Sequence, residues 1–235
     1  MQHTTDNQWK IIKLGGSILA PEWPNKQYLR QLVDIITMRV HVGEKFLIII
    51  GGGYVCRQYQ DALKQFDHIK NDDLDWMGIH TIMFNAQLVR MAFGEIAYKD
   101  VIARPSDLPE TDKSVIICGA EEPGHSSNYD AVIFAERINA NQIINLSNVD
   151  YVYDADPRDN PNATKYPEVT WEQYRSFIPS EWIPGMSTPF DPIAAESAQN
   201  LDLDVIFMKG RPIENLAKYL EKGEIEGSII SSRFA

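Results

Sequence analysis

With 235 residues the chain can bury a sizeable core, and it lies near the length at which one α/β domain competes with two; a single domain over residues 1–235 is expected. Hydrophobic residues make up 44 % and charged residues 23 %, as in ordinary soluble globular proteins, and no apolar run is long enough to suggest a membrane span. A formal charge of −11 argues against an extended nucleic-acid groove, which needs a basic face, but leaves room for a small anion held by a few focused positive groups and helix N-termini.

The opening MQHTTDNQWK lacks the cationic stretch and apolar core of a secretory signal, so a cytoplasmic location is expected. Cys56 and Cys118 read as two free, largely buried thiols whose spacing matches no zinc motif, and no metal ligand set is assigned.

WKIIKL, from Trp9 to Leu14, reads as a first strand that breaks at once into Gly15, Gly16 and Ser17. Strand, glycine pair and helix is the layout of a phosphate cradle. Glycine lets the backbone approach an anion and present successive N–H groups, and Lys13 adds a positive charge. The G-x-x-x-x-G-K-[ST] spacing of a P-loop is absent, and a plain βα turn stays open as the alternative. Residues 25–40 carry Leu29, Leu32, Val33, Ile36 and Met38 at near-helical spacing, with Gly43 as the stop. KFLIII, 45–50, suits a strand buried on both faces of a parallel sheet, and it feeds Gly51, Gly52 and Gly53. The helix expected over 54–66 places Arg57 on its first turn beside these glycines. A second glycine loop at a second strand end strengthens the phosphate reading, because phosphoryl transfer must hold both donor and acceptor.

Residues 74–95 read as one long helix whose Met83, Met91 and aromatics belong to the core or a subunit interface. Asp75 near its start is either a helix-dipole partner or an acceptor for ligand hydroxyls. KSVIICG, 113–119, is a further buried strand; Pro123 and Gly124 mark a loop, and Ser126, Ser127 and Asn128 can cap the helix that follows. His125 in that loop is either an ordinary hydrogen-bonded histidine or a ligand contact. The strand Ile143–Leu146 stops at Ser147 and Asn148, and the loop beyond carries Asp150, Asp154 and Asp156. Ligands gather at such strand ends in open α/β sheets, although a solvated acidic hairpin reads the same way. A polar excursion over 160–179 holds a short helix at 171–177. A loop and helix over 184–201, a strand at 204–210, a helix at 213–220 and a closing strand at 227–231 complete an α/β sandwich with a mainly parallel sheet.

In this order KLGGS, IIGGGYVCR, PGHSSN, NVDYVYDADP, STPFDPIAAE and GSII resemble the loops of the amino acid kinase family. The segments LDWMGIHTIMFNA and GMSTPFDPIAA place the likeness nearest the UMP kinases of archaeal and bacterial type, and it runs from Lys10 to Ser231. The resemblance implies a single three-layer αβα sandwich with a central mainly parallel sheet. It further implies transfer of the γ-phosphoryl of Mg-ATP to UMP, with magnesium carried on the nucleotide, in a homo-oligomer that is usually a hexamer. By position, Lys13 would neutralise the migrating phosphoryl and Asp191 would orient Lys13. Gly15, Gly16 and Ser17 would lie beside the donor phosphates, with Asn128 near them. Gly52, Gly53 and Arg57 would hold the acceptor phosphate, and Asp75 would take the ribose hydroxyls. Asn148, Asp150, Tyr153 and Asp156 belong to the ATP loop.

Three positions depart from the family pattern. Ala120 follows Gly119 where threonine is usual, Asn128 takes the place of an aspartate, and Tyr151 stands at a glycine. Asp130 could replace the carboxylate lost at Asn128 only if the loop shifts by two residues, and Tyr151 would be strained if that glycine needs a positive φ. These features define the alternatives: a nucleotide-binding relative without UMP kinase activity, of molybdenum-storage or regulatory type, or a kinase for another small phosphorylated acceptor.

Overall fold

The apolar runs become the strands of one sheet in the structure, a computed structural model that describes residues 9–157, 159–183, 186 and 188–234. The segment MQHTTDNQ and, within the GMSTPFDPIAA motif, Gly185 and Ser187 lie outside the described residues. The first half of the chain runs β1 (Trp9–Leu14), α1 (Gly16–Leu19), α2 (Lys26–His41), β2 (Lys45–Ile50), α3 (Gly53–Leu63), α4 (Asn71–Phe93), β3 (Val115–Cys118) and α5 (Ser127–Arg137). The second half runs β4 (Gln142–Ser147), β5 (Val152–Tyr153), β6 (Lys165–Tyr166), β7 (Glu168–Val169), α6 (Trp171–Phe177), α7 (Pro192–Asn200), β8 (Asp204–Lys209), α8 (Glu214–Lys222) and β9 (Gly227–Ile230).

Seven strands form the sheet in the order β3-β2-β1-β4-β8-β9-β7, parallel except where β9 meets β8. Alternation along each strand divides the core in two. Ile12, Leu14, Ile48 and Ile50 pack with Leu32 and Ile36 of α2, Val89 of α4 and Leu216 of α8. Ile11, Leu47, Ile49 and Ile143 pack with Phe134 of α5, Trp171 of α6 and Ala195 of α7. The result is the expected three-layer αβα sandwich with a mainly parallel sheet. By the same parity Lys13 belongs to the face of Ile11, under α5 and α7, which decides its electrostatic neighbours.

Two element ends differ from expectation. Helix α3 stops at Leu63, short of Phe66, whose side chain is half exposed and offers no apolar anchor. Helix α4 begins at Asn71, where Asp73 accepts from the Lys70 N–H at 2.9 Å and closes the first turn. Asp75 therefore lies inside the helix, and its side chain is not part of the cap. The pairs β5–β6 and β7–β9 span two residues each, too few for an alternating pattern to mark them in advance.

Fully buried Tyr174 of α6 fixes the entry to α7. Its hydroxyl donates to the Phe190 carbonyl at 2.6 Å and accepts from the Phe190 N–H at 2.7 Å. The next residue, Asp191, caps α7 by accepting from Ile193 and Ala194 N–H groups, both at 3.0 Å. Core packing is thereby transmitted to a side chain at the carboxyl end of the sheet.

Candidate active site

At the ends of β1 and β2 the two glycine loops interlock. The Gly51 N–H donates to Leu14 carbonyl at 2.9 Å, and the Gly15 N–H donates across to Leu146 carbonyl at 3.0 Å. Gly16 sits so close to the second loop that a Cβ there would fall 2.3 Å from the Gly51 oxygen and 2.4 Å from the Gly53 nitrogen. Gly53 has φ of +76°, and a Cβ on it would meet Gly16 at 2.5 Å. Only glycine permits this contact, for steric reasons at Gly16 and for both steric and conformational reasons at Gly53. Buried Asn85 of α4 clamps the second loop, its amide donating to Gly51 and Gly52 carbonyls at 3.1 and 2.9 Å. Arg57 spans the pair by donating to the Ser17 hydroxyl at 2.9 Å.

Three contiguous cavities open around this junction. The central one, about 290 Å³, is lined by Lys13, Gly15, Gly16, Ser17, Gly52, Gly53, Arg57, Asn128, Asn148 and Asp191, which brings most of the expected site residues together. It shares Gly52, Gly53, Arg57, Ser126, Ser127, Trp182 and Met186 with a second cavity of about 120 Å³, where Asp75 faces Ile79, Ile82 and Ala120. On the other side it shares Ser147, Asn148, Met186, Thr188 and Pro189 with a third cavity of about 290 Å³, walled by Tyr151, Tyr153, Asp156, Phe177 and Ile178. Asp150 braces the last loop, accepting from the Tyr151 N–H and the Tyr153 hydroxyl, both at 3.1 Å, and lines none of the three.

The electrostatics focus on Lys13. Burial pushes its ammonium down from 10.5 to about 8, against the opposing pull of the Asp191 and Asp130 carboxylates. Asp191 uses one oxygen on the α7 cap and the other on the Ser126 hydroxyl, 2.5 Å away. Asp75 is raised chiefly by desolvation, opposed by the Gly124 N–H it accepts at 2.8 Å. Burial also raises the Cys56 thiol, to about 11, so it stays protonated beside the second cavity.

Several lining residues escaped the sequence reading. Asn145 aligns with Lys13 across the β1–β4 register and lines the central cavity; a lone polar residue in the apolar run IINL was the available signal. Trp182 carried no signal at all, because only the chain's return past α6 brings it to both the first and second cavities. Tyr151 escapes the strain considered for it: among described non-glycine residues only Asn139 and Asp202 have positive φ. Its ring lies under Lys165 Nζ, 4.6 Å from the centroid, and forms a wall of the third cavity without filling it.

A polar chamber built on two glycine loops, flanked by two further chambers, is an arrangement for two phosphorylated ligands meeting end to end. The sequence profile described as the amino acid kinase family matches residues 8–209. The chain belongs to the amino acid kinase family. Among curated members, the uridylate kinase of Thermococcus kodakarensis is 30 % identical over 223 residues, covering 94 % of this chain and 98 % of that protein. The crystal structure of uridylate kinase from Archaeoglobus fulgidus has a TM-score of 0.79 at 29 % identity, over 94 % of this chain and all of that one. The structure of UMP kinase from Bacillus anthracis, 20 % identical, shares the fold with a TM-score of 0.75 over 96 % of each chain. In this amino acid kinase Lys13, Arg57, Asp75 and Asp191 line the cavities, as do Ala120, Asn128 and Tyr151.

Proposed function

We propose that the protein is a uridylate kinase that transfers the γ-phosphoryl of ATP to UMP, acting as one domain over residues 1–235. The observation that carries this reading is the Lys13 ammonium in the polar chamber that joins the two flanking ones. UMP lies in the second chamber with its phosphate at Gly52, Gly53 and Arg57 and its ribose hydroxyls at Asp75. ATP enters from the other side, with its phosphates over Gly15, Gly16 and Ser17 near Asn128, and its nucleoside along Asn148, Tyr153 and Asp156. Asp150 acts by shaping that loop.

In the reaction an oxygen of the UMP phosphate bonds to the γ-phosphorus as the bond from that phosphorus to the β–γ bridging oxygen breaks, releasing ADP. UMP arrives largely as a dianion at neutral pH, so no general base is required. The protein's task is alignment and charge neutralisation, supplied by Lys13, Arg57 and the loop N–H groups. Among the described residues no cluster of three or more His, Cys, Asp or Glu could hold a metal. Magnesium enters as part of the Mg-ATP substrate, held by nucleotide oxygens and water. The reading without kinase activity is not favoured, because the curated relatives are uridylate kinases over nearly the whole chain. A coupled ADP-release assay with Mg-ATP and a panel of nucleoside monophosphates should show turnover with UMP well above the others. Tight ATP binding with no ADP release for any acceptor refutes the kinase reading.

The enzyme is proposed to work in the cytoplasm, in pyrimidine nucleotide supply, as a homo-oligomer and by resemblance a hexamer. No described helix is long and apolar enough to cross a membrane. Support for self-association comes from α4, whose outer side exposes Trp76, Phe84 and Met91 at helical spacing, with Phe84 75 % exposed. Sedimentation velocity should find an assembly that Phe84→Asp reduces to smaller species; a monomeric native chain at micromolar concentration rules this out.

A further inference from the structure

Asp130 lies in the first turns of α5 among Ala131, Val132, Phe134 and Ala135, and is only 2 % exposed. Its Oδ2 is buried without a hydrogen-bond partner, and its Oδ1 lies 3.8 Å from His125 Nδ1. A carboxylate so placed costs several kcal/mol unless a positive charge faces it. The charged and titratable groups around it are Lys13 from β1, Asp191 at the head of α7, His125 from the preceding loop and Cys118 from β3.

Within this group the two carboxylates are used differently. Both Asp191 oxygens are occupied by the α7 cap and the Ser126 hydroxyl. Asp130 has an oxygen to spare, and Asn128, on the cavity wall, contributes an amide and no charge. We propose that Asp130 is a positioning residue for the kinase reaction, a buried counter-charge that keeps the Lys13 ammonium protonated and aimed into the central cavity. The inference rests on the kinase reading for its function, and on burial and charge alone for its electrostatics. Lys13 holds the Asp130 carboxyl down, toward its ionised form, against burial and the neighbouring Asp191, which together raise it well above the usual range. Buried next to apolar side chains, Asp130 has no evident structural use that valine would not serve better.

The test is a lysine ¹³Cε titration by NMR on the full chain, with the Lys13 signal assigned by its loss in Lys13→Met. In Asp130→Asn the Lys13 midpoint should fall by half a pH unit or more, and in the double variant Asn128→Asp/Asp130→Asn it should return toward the native value. A folded Asp130→Asn with an unmoved Lys13 midpoint overturns the proposal. A variant that fails to fold is covered by the reciprocal measurement, the Asp130 ¹³Cγ midpoint in Lys13→Met: a further rise supports the pairing, and no change overturns it. With UMP and ATP, the basic limb of kcat/KM should move to lower pH together with the Lys13 midpoint, which a merely structural role would not cause. Turnover in the native chain with an unmoved Lys13 midpoint refutes this inference alone. Absent turnover with a moved midpoint refutes the kinase reading and leaves the charge pairing standing.

Discussion

Lys13→Met lowers kcat with UMP by roughly 10²–10⁴-fold, the loss expected when a preorganised charge is removed from a water-poor site of phosphoryl transfer. Methionine preserves the length and packing of the stem and removes only the ammonium, so ATP binding through the glycine loops persists. In the native enzyme kcat/KM falls as pH rises through about 8, where Lys13 deprotonates in the free protein. The same group also makes stability depend on pH. Because the folded chain lowers the Lys13 pKa below its ordinary 10.5, the unfolded chain binds more protons between about 8 and 10.5, and native stability rises with pH through that window. Below it the buried ammonium carries its full cost. In Lys13→Met that pH-dependent rise should be absent, while the Asp130 carboxyl loses the charge that faces it. Steady-state ADP release and thermal melting at pH 7 and 10 measure both effects. Activity within tenfold of native removes Lys13 from its assigned role.

Gly16→Ala is the second large effect, and it acts through the backbone. The added methyl would meet the Gly51 oxygen at 2.3 Å and the Gly53 nitrogen at 2.4 Å, main-chain atoms with no rotamer to give way. The loops must separate, which strains the Asn85 bonds to Gly51 and Gly52 and displaces the glycines that line the central cavity. Overpacking of this kind costs roughly 1–3 kcal/mol or more, and here the deformation falls on the site itself. Affinity for ATP should drop by at least tenfold. Gly78→Ala in α4 is the control for stability: its Cβ would come no nearer than 3.5 Å to any neighbour, and helix propensity favours alanine. Isothermal titration and chemical denaturation compare the two; equal behaviour would show that the interlock is dispensable.

Much of the architecture was legible because it is local or repetitive. Strands β1 and β2 match their expected limits because continuous apolar runs bounded by glycine have few other ways to be buried. Six loop motifs in a fixed order identify the family, since each is short but their joint order is improbable. Polar residues at strand ends marked Lys13 and Asn148 in the same way, whereas Asp191 came only through the resemblance carried by STPFDPIAAE.

What the chain's order could not convey was which distant groups meet. Nothing in KLGGS and IIGGGY says that Gly16 and Gly53 touch. That follows from the parallel pairing of β1 with β2, which brings both strand ends to one edge. Asn145 faces the site through the β1–β4 register, and Trp182 through the return of the chain past α6. Asp130 is the clearest case. In sequence it is one more acidic residue near a helix start, where solvent and the helix dipole would account for it. Folding buries it on the same side of the sheet as Lys13, and burial turns a commonplace carboxylate into part of the site's charge balance. The sequence by itself determined the strands, the glycine loops and the family, because these depend on neighbours along the chain. Only the tertiary structure decided the loop interlock and the setting of Lys13, because steric contact and electrostatic desolvation depend on distance in space.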